Sequence, residues 1–344
     1  MLNGAAHAPG GRPEHGIAVI GAGSWGTALA VHLQRAGHDV RLWGRNACLV
    51  AEIQRTRSNA RYLPDVQIPP EIQLTSSLDE VLDRASYVVF AIPSHGLRTV
   101  VRTAAPLLRD DAILVSGVKG LEEGSLARMS QTVIEETHGA HATVVLSGPS
   151  FAAEVARGLP TAVLAASTNA QAVARVQEHF RGPTFRLYAS DDVTGVEIGG
   201  ALKNVIAIAA GAVEGLGLGH NSMAALITRG LAEISRLAFA EGGRRETLAG
   251  LAGLGDLVLT CTGDLSRNRR VGIELGRGRR LDEILSNMHM VAEGVRTAGA
   301  ALALGARHGL ELPIAAQMKR VLDGSCSPRE AVETLMLRKQ KPED

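Results

Sequence analysis

The feature that most constrains the fold of this chain is an apolar run that leads directly into three spaced glycines. Residues 17–20 predict a short buried strand, and Gly21, Gly23 and Gly26 follow in the pattern Gly-x-Gly-x-x-Gly. Residues 27–35 then predict a helix. Gly21 would permit a tight turn, Gly23 a close approach to a pyrophosphate, and Gly26 close packing of helix and strand. Because a helix N-terminus favours phosphate, we predict a dinucleotide site, with an ordinary strand-to-helix turn as the alternative.

The end of the second predicted strand, at residues 39–43, bears on which dinucleotide is bound. An acidic residue at this place suits a ribose 2′-hydroxyl, whereas an arginine suits a 2′-phosphate. Arg45 follows Gly26 by 19 residues, and no acidic residue lies between Val40 and Asn46. The sequence therefore favours NADP(H) as the cofactor, with NAD(H) as the alternative. A solvated surface arginine is the alternative reading of Arg45.

Strands alternate with helices through the first half of the chain. Residues 58–73, with three prolines, predict a loop, and further strands are predicted at residues 87–92, 112–116, 143–146, 161–166 and 184–188. This alternation predicts an α/β fold with a Rossmann-type, doubly wound and mainly parallel sheet. Such sheets bind ligands at the carboxyl ends of their strands. The residues that directly follow predicted strands are Gly21–Gly26, Arg45, Pro93–Ser94, Lys119 and Gly148–Ser150.

The second half of the chain has a different character from about Val196 onward. Ala, Leu, Gly and Ile recur at helical spacing, and the last helix has a capping box at Ser327 and Glu330. We predict an all-helical C-terminal domain, with helices at residues 196–212, 223–241, 244–249, 266–275, 281–287, 297–305, 313–322 and from 327. The predicted organisation is a mobile arm at 1–15, a dinucleotide-binding domain at 16–195 and a helical substrate domain at 196–344.

Composition excludes several classes of protein. The net charge of +1 gives no case for nucleic acid or a membrane surface as a partner. Three cysteines in 344 residues suggest a reducing compartment without a disulfide framework, and we expect a cytoplasmic protein. The first 15 residues lack the apolar core of a signal peptide, and no stretch reads as long and apolar enough to span a bilayer.

The predicted helix at residues 196–212 carries a single lysine, Lys203. Gly199 lies four residues before it and Ala207 four residues after it, so this face of the helix has little bulk. A small-molecule substrate could lie against that face. The alternative is a lysine that reaches solvent from a packed helix, with Gly199 and Gly200 serving close helix packing.

A further cluster of polar and charged residues, the third after the glycine turn and the Lys203 helix, runs from Gly253 to Arg270 and includes Asp256 and Thr260. Ser266 can cap the next helix and leave backbone N–H groups for an anion, and Arg267 and Asn268 add a guanidinium and an amide at the same end. Asp256 is a candidate to orient a lysine or bind a substrate hydroxyl. The alternatives are a solvated basic run and an aspartate that only caps a helix.

These stretches together resemble the NAD(P)-dependent glycerol-3-phosphate dehydrogenases of bacterial type. The resemblance covers nearly the whole chain beyond residue 15. The motifs that carry it are Gly21–Gly26 with Ser24-Trp25, Val118-Lys119-Gly120, Ser147-Gly-Pro-Ser-Phe151, Leu202-Lys-Asn204 and Leu265-Ser-Arg-Asn-Arg269. It implies reversible hydride transfer between NAD(P)H and dihydroxyacetone phosphate to give sn-glycerol 3-phosphate, which supplies phospholipid synthesis. No metal is implied.

The resemblance also implies roles for individual residues. Lys203 would be the catalytic proton donor and acceptor. The implied substrate contacts are Lys119, Gly148, Ser150, Lys203, Asp256, Ser266, Arg267 and Asn268. The implied cofactor contacts, beside the three glycines, are Ser24, Trp25, Arg45, Lys119, Ala152, Arg267, Val291 and Glu293.

Two other functions remain open from the sequence. One is a related Rossmann reductase with a catalytic lysine that acts on a carboxylate substrate, of the β-hydroxyacid dehydrogenase or ketopantoate reductase type. The cluster at Ser266–Asn268 favours phosphate over carboxylate. The other is a dinucleotide sensor without activity that uses its helices to bind a partner protein, and such a sensor would not require Lys203. The helical domain, rich in glycine and alanine, could also pair with a second copy to form a homodimer.

Overall fold

We describe the protein from a computed structural model, in which residues 16–288 and 291–340 are described. The predicted arm at residues 1–15 and the last four residues of the predicted substrate domain, 341–344, lie outside these ranges. The chain forms a sheet-containing half followed by a helical half, as the sequence predicts.

From residue 16 onward, the first half contains ten strands. They are β1 (Gly16–Ile20), β2 (Asp39–Trp43), β3 (Ser58–Asn59), β4 (Leu63–Gln67), β5 (Gln73–Thr75), β6 (Ala85–Phe90), β7 (Ile113–Ser116), β8 (Thr143–Ser147), β9 (Thr161–Ala166) and β10 (Phe185–Ser190). Eight of them form one sheet in the order β10-β9-β8-β7-β6-β1-β2-β5. All neighbours in this sheet are parallel except β8 and β9. The prediction of a doubly wound, mainly parallel sheet is confirmed.

Helices cover both faces of this sheet and make up the second half. The first seven are α1 (Ser24–Arg35), α2 (Ala47–Thr56), α3 (Leu78–Leu82), α4 (Leu97–Ala104), α5 (Met129–Glu136), α6 (Ala152–Arg157) and α7 (Ala170–Phe180). The others are α8 (Val193–Gly215), α9 (Gly219–Ala240), α10 (Arg245–Ala249), α11 (Asp256–Thr262), α12 (Arg267–Gly276), α13 (Leu281–Ser286), α14 (Glu293–Arg307), α15 (Pro313–Leu322) and α16 (Pro328–Met336). A π-helix, Leu251–Gly255, leads into α11.

The predicted loop at residues 58–73 is wrong in part, because it contains two short strands and reaches the start of a third. β3 and β4 pair with each other, and β5 joins the outer edge of the sheet beside β2. Buried Leu63, Val66, Ile68 and Ile72 fix this segment against the core. The prolines did not prevent the strands, since an edge strand tolerates residues that cannot donate to a ladder.

The helical half is arranged around α8, which is buried along most of its length. α8 and α12 cross at very short range: a Cβ on Gly211 would lie 1.9 Å from the Arg269 carbonyl oxygen, and one on Gly272 would lie 1.9 Å from that of Ile208. α8 begins at Val193, three residues before the predicted start. By length and composition it could cross a membrane, contrary to the sequence reading, but its apolar window is entirely buried inside the protein.

A buried carboxylate joins the two halves. Glu197 of α8 accepts hydrogen bonds from the backbone N–H of Ser130 (2.8 Å), the Ser130 hydroxyl (2.6 Å) and the Arg128 guanidinium (2.6 Å). Its side chain is 3% exposed, so the desolvated charge must be held by these partners. The contact fixes α8 against the sheet-containing half, near the residues that form the candidate site.

Candidate functional site

The glycine turn lies at the carboxyl end of β1, where the sheet order reverses between β6 and β2. Gly21 has φ +126°, and a Cβ there would lie 2.5 Å from the Ala91 carbonyl oxygen. A Cβ on Gly26 would lie 1.8 Å from the Gly21 carbonyl oxygen, so both positions require glycine. A Cβ on Gly23 would meet no protein atom within 4 Å. Gly23 therefore faces open space beside the N-terminus of α1, which begins at Ser24.

The surroundings of this turn fit the dinucleotide that the sequence predicts. Trp25 lies over the end of β7, where a Cβ on Gly117 would be 2.8 Å from its indole nitrogen. Arg45 is exposed at the end of β2, in the place suited to a 2′-phosphate. Ser24 donates to the Tyr62 carbonyl oxygen at 2.7 Å, and Ala152 is the first residue of α6. The open backbone at Gly23 and the first turn of α1 would hold the pyrophosphate.

A second part of the site is a carboxylate shared by two lysines from distant segments. Asp256, which is 1% exposed, accepts from Lys203 Nζ at 2.5 Å and from Lys119 Nζ at 2.6 Å. Lys203 also donates to the Thr260 hydroxyl at 2.9 Å, and Lys119 donates to the Gly148 carbonyl oxygen at 3.2 Å. Asp256 is thus more than a helix-capping residue: it orients both lysines.

Burial changes the acidity of Lys203. The pKa of its ammonium is lowered to about 7, because desolvation, the largest influence, and the positive charge of Lys119 together outweigh the raising effect of Asp256. The side chain is 8% exposed. A lysine with a pKa near neutrality can both release and accept a proton under physiological conditions.

The small residues on α8 serve close packing more than an open substrate face. A Cβ on Gly199 would lie 2.8 Å from the Ala252 carbonyl oxygen in the π-helix, and one on Gly200 would lie 3.0 Å from the Ser147 hydroxyl. The prediction that this face is left free for a substrate is therefore wrong at Gly199. The packing brings α8 close to both Asp256 and Lys119.

The third part of the site is the start of α12. The hydroxyl of Ser266 accepts from the backbone N–H of Arg269 at 3.2 Å, so the predicted N-cap is confirmed. The first N–H groups of the helix have no carbonyl partner within the helix and can face an anion. Arg267 is exposed, and it makes no ion pair with any residue in the described ranges. The protein around its guanidinium still lowers its pKa by desolvation, against a smaller opposing effect of Glu293.

Buried amides connect α12 to the helix that carries Lys203. Asn268 donates from its amide to the side-chain oxygen of Asn204 at 2.9 Å and accepts from the backbone N–H of Gly294 at 3.0 Å. Asn268 is thus buried, and its amide makes structural hydrogen bonds on both sides. Its role as a substrate contact stays a prediction. Val291 precedes this segment and is partly buried.

Glu293 contacts the sheet-containing half. Its two carboxylate oxygens accept from the backbone N–H and the hydroxyl of Ser94, at 3.0 and 2.6 Å. The hydroxyl of Ser150 lies opposite, near Lys119, and donates to the Gly148 carbonyl oxygen at 3.0 Å. The structure therefore brings the glycine turn, Ser94, Lys119 and Gly148–Ser150 to one edge of the sheet, and hydrogen bonds to Asp256 and Glu293 connect this edge to the helical half.

Sequence reasoning gave no role to two residues of this site. Thr260 was within the third cluster, but its contact with Lys203 depends on the helical conformation of residues 256–262, which was not predicted. Ser94 was placed at a strand end without a partner, because Glu293 lies 199 residues away in sequence. Among the described residues no group of three metal-ligating side chains is present.

Comparison with known proteins places both halves in one family. The family model described as NAD-dependent glycerol-3-phosphate dehydrogenase N-terminus matches residues 16–173, and the corresponding C-terminus model matches residues 192–333. The chain is 53% identical over 327 residues to glycerol-3-phosphate dehydrogenase [NAD(P)+] of Koribacter versatilis, covering 94% of this chain and 97% of that protein. It is 53% identical to the enzyme of the same name from Thioalkalivibrio sulfidiphilus, covering 95% and 98%.

Solved structures give the same result. The crystal structure of glycerol-3-phosphate dehydrogenase from Coxiella burnetii matches with a TM-score of 0.91 and 43% identity, over 94% of this chain and 99% of that one. Ketopantoate reductase from Ralstonia eutropha matches with a TM-score of 0.59 at 16% identity, over 90% and 99%, which shows a shared fold alone.

Proposed function

Because the chain belongs to the NAD-dependent glycerol-3-phosphate dehydrogenase family, we propose a residue-level account of how it transfers a hydride between NAD(P)H and dihydroxyacetone phosphate. The predicted family and activity are confirmed, and the protein is an oxidoreductase. The alternative of a carboxylate-directed reductase is not supported. The assignments of individual residues below are proposals.

We assign the phosphate of the substrate to the start of α12. Arg267 makes no ion pair with a carboxylate of the described residues, and it is the first residue of α12, where the first N–H groups of the helix favour an anion. Ser266 and Asn268 shape this end of the site. Lys119, Gly148 and Ser150 would lie along the glycerone part, opposite the phosphate.

Proton transfer is assigned to Lys203. When bound, the reduced nicotinamide supplies the hydride that the carbonyl carbon accepts. Negative charge then develops on the carbonyl oxygen, and a nearby ammonium both stabilises that charge and donates the proton. Asp256 keeps Lys203 and Lys119 in place, and a pKa of about 7 lets Lys203 regain its proton from solvent after each turnover.

The cofactor contacts are assigned to residues around the glycine turn. Gly21, Gly23 and Gly26 with Ser24 and Trp25 would hold the pyrophosphate and the adjoining part of the dinucleotide. Arg45 would accept a 2′-phosphate, so NADP(H) is favoured while NAD(H) is also used. The remaining proposed contacts are Lys119, Ala152, Arg267, Val291 and Glu293.

The observation that carries this proposal is the carboxylate of Asp256 shared by Lys203 and Lys119. The direct test follows NADPH and NADH oxidation by absorbance with dihydroxyacetone phosphate, unphosphorylated dihydroxyacetone and a series of ketoacids. We expect turnover with dihydroxyacetone phosphate far above that with the other ketones. Faster turnover of a ketoacid would contradict the substrate assignment, and nucleotide binding without turnover of any ketone would indicate a sensor.

Partners and location follow from the same proposal. The substrate is a small molecule, and we propose an enzyme of the cytoplasm that binds neither nucleic acid nor membrane and supplies phospholipid synthesis. A homodimer is also proposed, since Met336 and Leu337 expose large apolar side chains on the helical half. Light scattering of the purified protein measures the mass directly, and a mass of one chain at micromolar concentration would exclude the dimer.

A further inference from the structure

The contact between Ser94 and Glu293 is not used by the mechanism above, yet it joins the two halves of the site. Ser94 follows β6, the strand beside the glycine turn, and is 6% exposed. Glu293 is the first residue of α14 in the helical half. One serine satisfies both carboxylate oxygens, through its backbone N–H at 3.0 Å and its hydroxyl at 2.6 Å.

Glu293 and Arg267 are the first residues of two neighbouring helices, α14 and α12. Asn268, next to Arg267, accepts a hydrogen bond at 3.0 Å from the backbone of Gly294, which is next to Glu293. The first turns of α12 and α14 are therefore held side by side, and the Glu293 charge acts on the Arg267 guanidinium. The two side chains nevertheless form no ion pair, although a carboxylate and a guanidinium pair strongly when geometry permits.

The reason for this separation is the contact with Ser94. A carboxylate that accepts two hydrogen bonds from one residue is fixed in direction, so the Glu293 carboxylate is held on Ser94 at the end of β6. Gly120 packs closely against Ser94, because a Cβ on Gly120 would lie 2.8 Å from the Ser94 side chain. Ser94 is itself fixed in position, and it determines where the Glu293 carboxylate lies.

We propose that Ser94 is a positioning residue that holds the Glu293 carboxylate away from Arg267 and so leaves the Arg267 guanidinium free for the substrate phosphate. The inference rests on the proposed function, since it assumes that Arg267 binds the phosphate. Without the Ser94 hydroxyl, one Glu293 oxygen loses its donor and turns to the nearest cation. Arg267 then pairs with Glu293, and a phosphate must displace that pair to bind.

The experiment measures phosphate binding in the absence of nucleotide, so that activity is not the readout. Dissociation constants for inorganic phosphate and for dihydroxyacetone phosphate are measured by calorimetry at fixed pH and ionic strength. The variants are Ser94→Ala, Glu293→Gln, the double variant and Arg267→Ala. The matched control is Ser167→Ala, which removes a hydroxyl that donates at 2.7 Å to the Thr143 carbonyl oxygen at the far side of the sheet.

We expect Ser94→Ala to weaken phosphate binding about three- to tenfold, because an intramolecular carboxylate now competes for the guanidinium. The double variant should bind phosphate as Glu293→Gln does, since a neutral amide does not compete for the charge. Ser167→Ala should bind phosphate as the wild type does. A folding defect is separated from competition by this rescue, because removing a second contact would not restore a damaged fold.

Three results would overturn the inference. If Ser94→Ala binds phosphate as tightly as Ser167→Ala does, the Ser94 hydroxyl does not determine the position of the Glu293 carboxylate. A double variant as weak as Ser94→Ala shows that Glu293 is not the competitor. If Arg267→Ala binds phosphate as tightly as the wild type does, both the phosphate assignment in the proposed function and this inference are wrong. If phosphate binding is weakened in Arg267→Ala but not in Ser94→Ala, only this inference is wrong, and the phosphate assignment stands.

Discussion

In the glycine turn the backbone forms the site, whereas in the lysine–aspartate centre side chains form it. The turn is one continuous segment in which Gly21 and Gly26 leave no room for a side chain. The centre brings together Lys119, Lys203 and Asp256, which lie on three separate segments, and depends on their charges. Both lie at the carboxyl edge of the same sheet, yet the first is specified locally and the second only by the completed fold.

The largest expected effect separates chemistry from cofactor binding. Lys203→Met removes the proton donor and one positive charge but keeps an unbranched side chain in the buried space. We expect turnover to fall about 10²–10⁴-fold, the range of general acid–base catalysis, while nucleotide affinity stays near that of the wild type. Single-turnover NADPH oxidation with saturating dihydroxyacetone phosphate measures the first, and nucleotide fluorescence titration the second.

The control for that variant is Lys319→Met, which removes a half-exposed lysine of α15 that is paired with Asp323, the residue after the end of this helix. This substitution should leave turnover unchanged, because exposed pairs contribute little. If folded Lys203→Met retains turnover within a few-fold of wild type, Lys203 is structural and the proton donor is to be sought at Lys119.

A second effect concerns Arg267 at the start of α12, where we place the substrate phosphate. Arg267→Ala should lower kcat/KM for dihydroxyacetone phosphate, because a charge-assisted contact is lost. The loss should correspond to about 1.5–3 kcal/mol of activation free energy. Unphosphorylated dihydroxyacetone cannot use that contact and should lose much less. Steady-state kinetics on both ketones gives the comparison, and equal losses would remove Arg267 from the phosphate site.

The backbone region should respond to volume instead of charge. Gly26→Ala places a methyl group 1.8 Å from the Gly21 carbonyl oxygen, so we expect the free energy of unfolding to fall by about 1–3 kcal/mol or more. Gly23→Ala meets no protein atom, so the protein should keep its stability but bind nucleotide more weakly. Thermal melts with and without NADPH distinguish the two. A stable Gly26→Ala with normal nucleotide affinity would contradict the close packing assigned to this turn.

How far each region could be predicted follows from this difference. The turn was predicted nearly in full, because Ile17 to Gly26 carry the strand, the glycines and the helix start within ten consecutive residues. α1 only begins three residues earlier than predicted. The pattern determines a local conformation, and long-range packing adds little to it.

The lysine–aspartate centre could be predicted only as a set of residues. Lys119 and Asp256 are separated by 137 positions, so nothing in the local pattern states that they share a hydrogen bond. The π-helix at Leu251–Gly255 and the helix after it escaped prediction because a glycine-rich run gives no periodicity. The small residues beside Lys203 suggested an open face, whereas the structure fills it with the Ala252 backbone. Packing between distant segments decided each of these points.

The pH dependence sharpens the account of the centre. If Lys203 donates the proton, as we propose, it must be protonated to reduce the ketone. Its pKa is lowered to about 7, so kcat/KM for reduction should fall about tenfold per pH unit above that value. Oxidation of sn-glycerol 3-phosphate needs the neutral amine and should rise up to the same pH. Asp256→Asn removes the charge that raises the Lys203 pKa, so both profiles should move to lower pH. Unshifted profiles would show that another group titrates.

The smallest expected effect tests whether a side chain near the glycine turn contributes to nucleotide binding. Arg45 is exposed, so its contact with a 2′-phosphate is screened by solvent, and we expect Arg45→Ala to weaken NADPH binding by about 1 kcal/mol, or about fivefold. NADH lacks the phosphate and should bind the variant as it binds the wild type. Arg55→Ala, an exposed arginine near the other end of α2, is the matched control for lost surface charge. Titration of both nucleotides against the three proteins gives the ratio. If Arg45→Ala weakens NADH and NADPH equally, the preference for NADP(H) does not come from Arg45, and the turn binds either dinucleotide through its backbone alone.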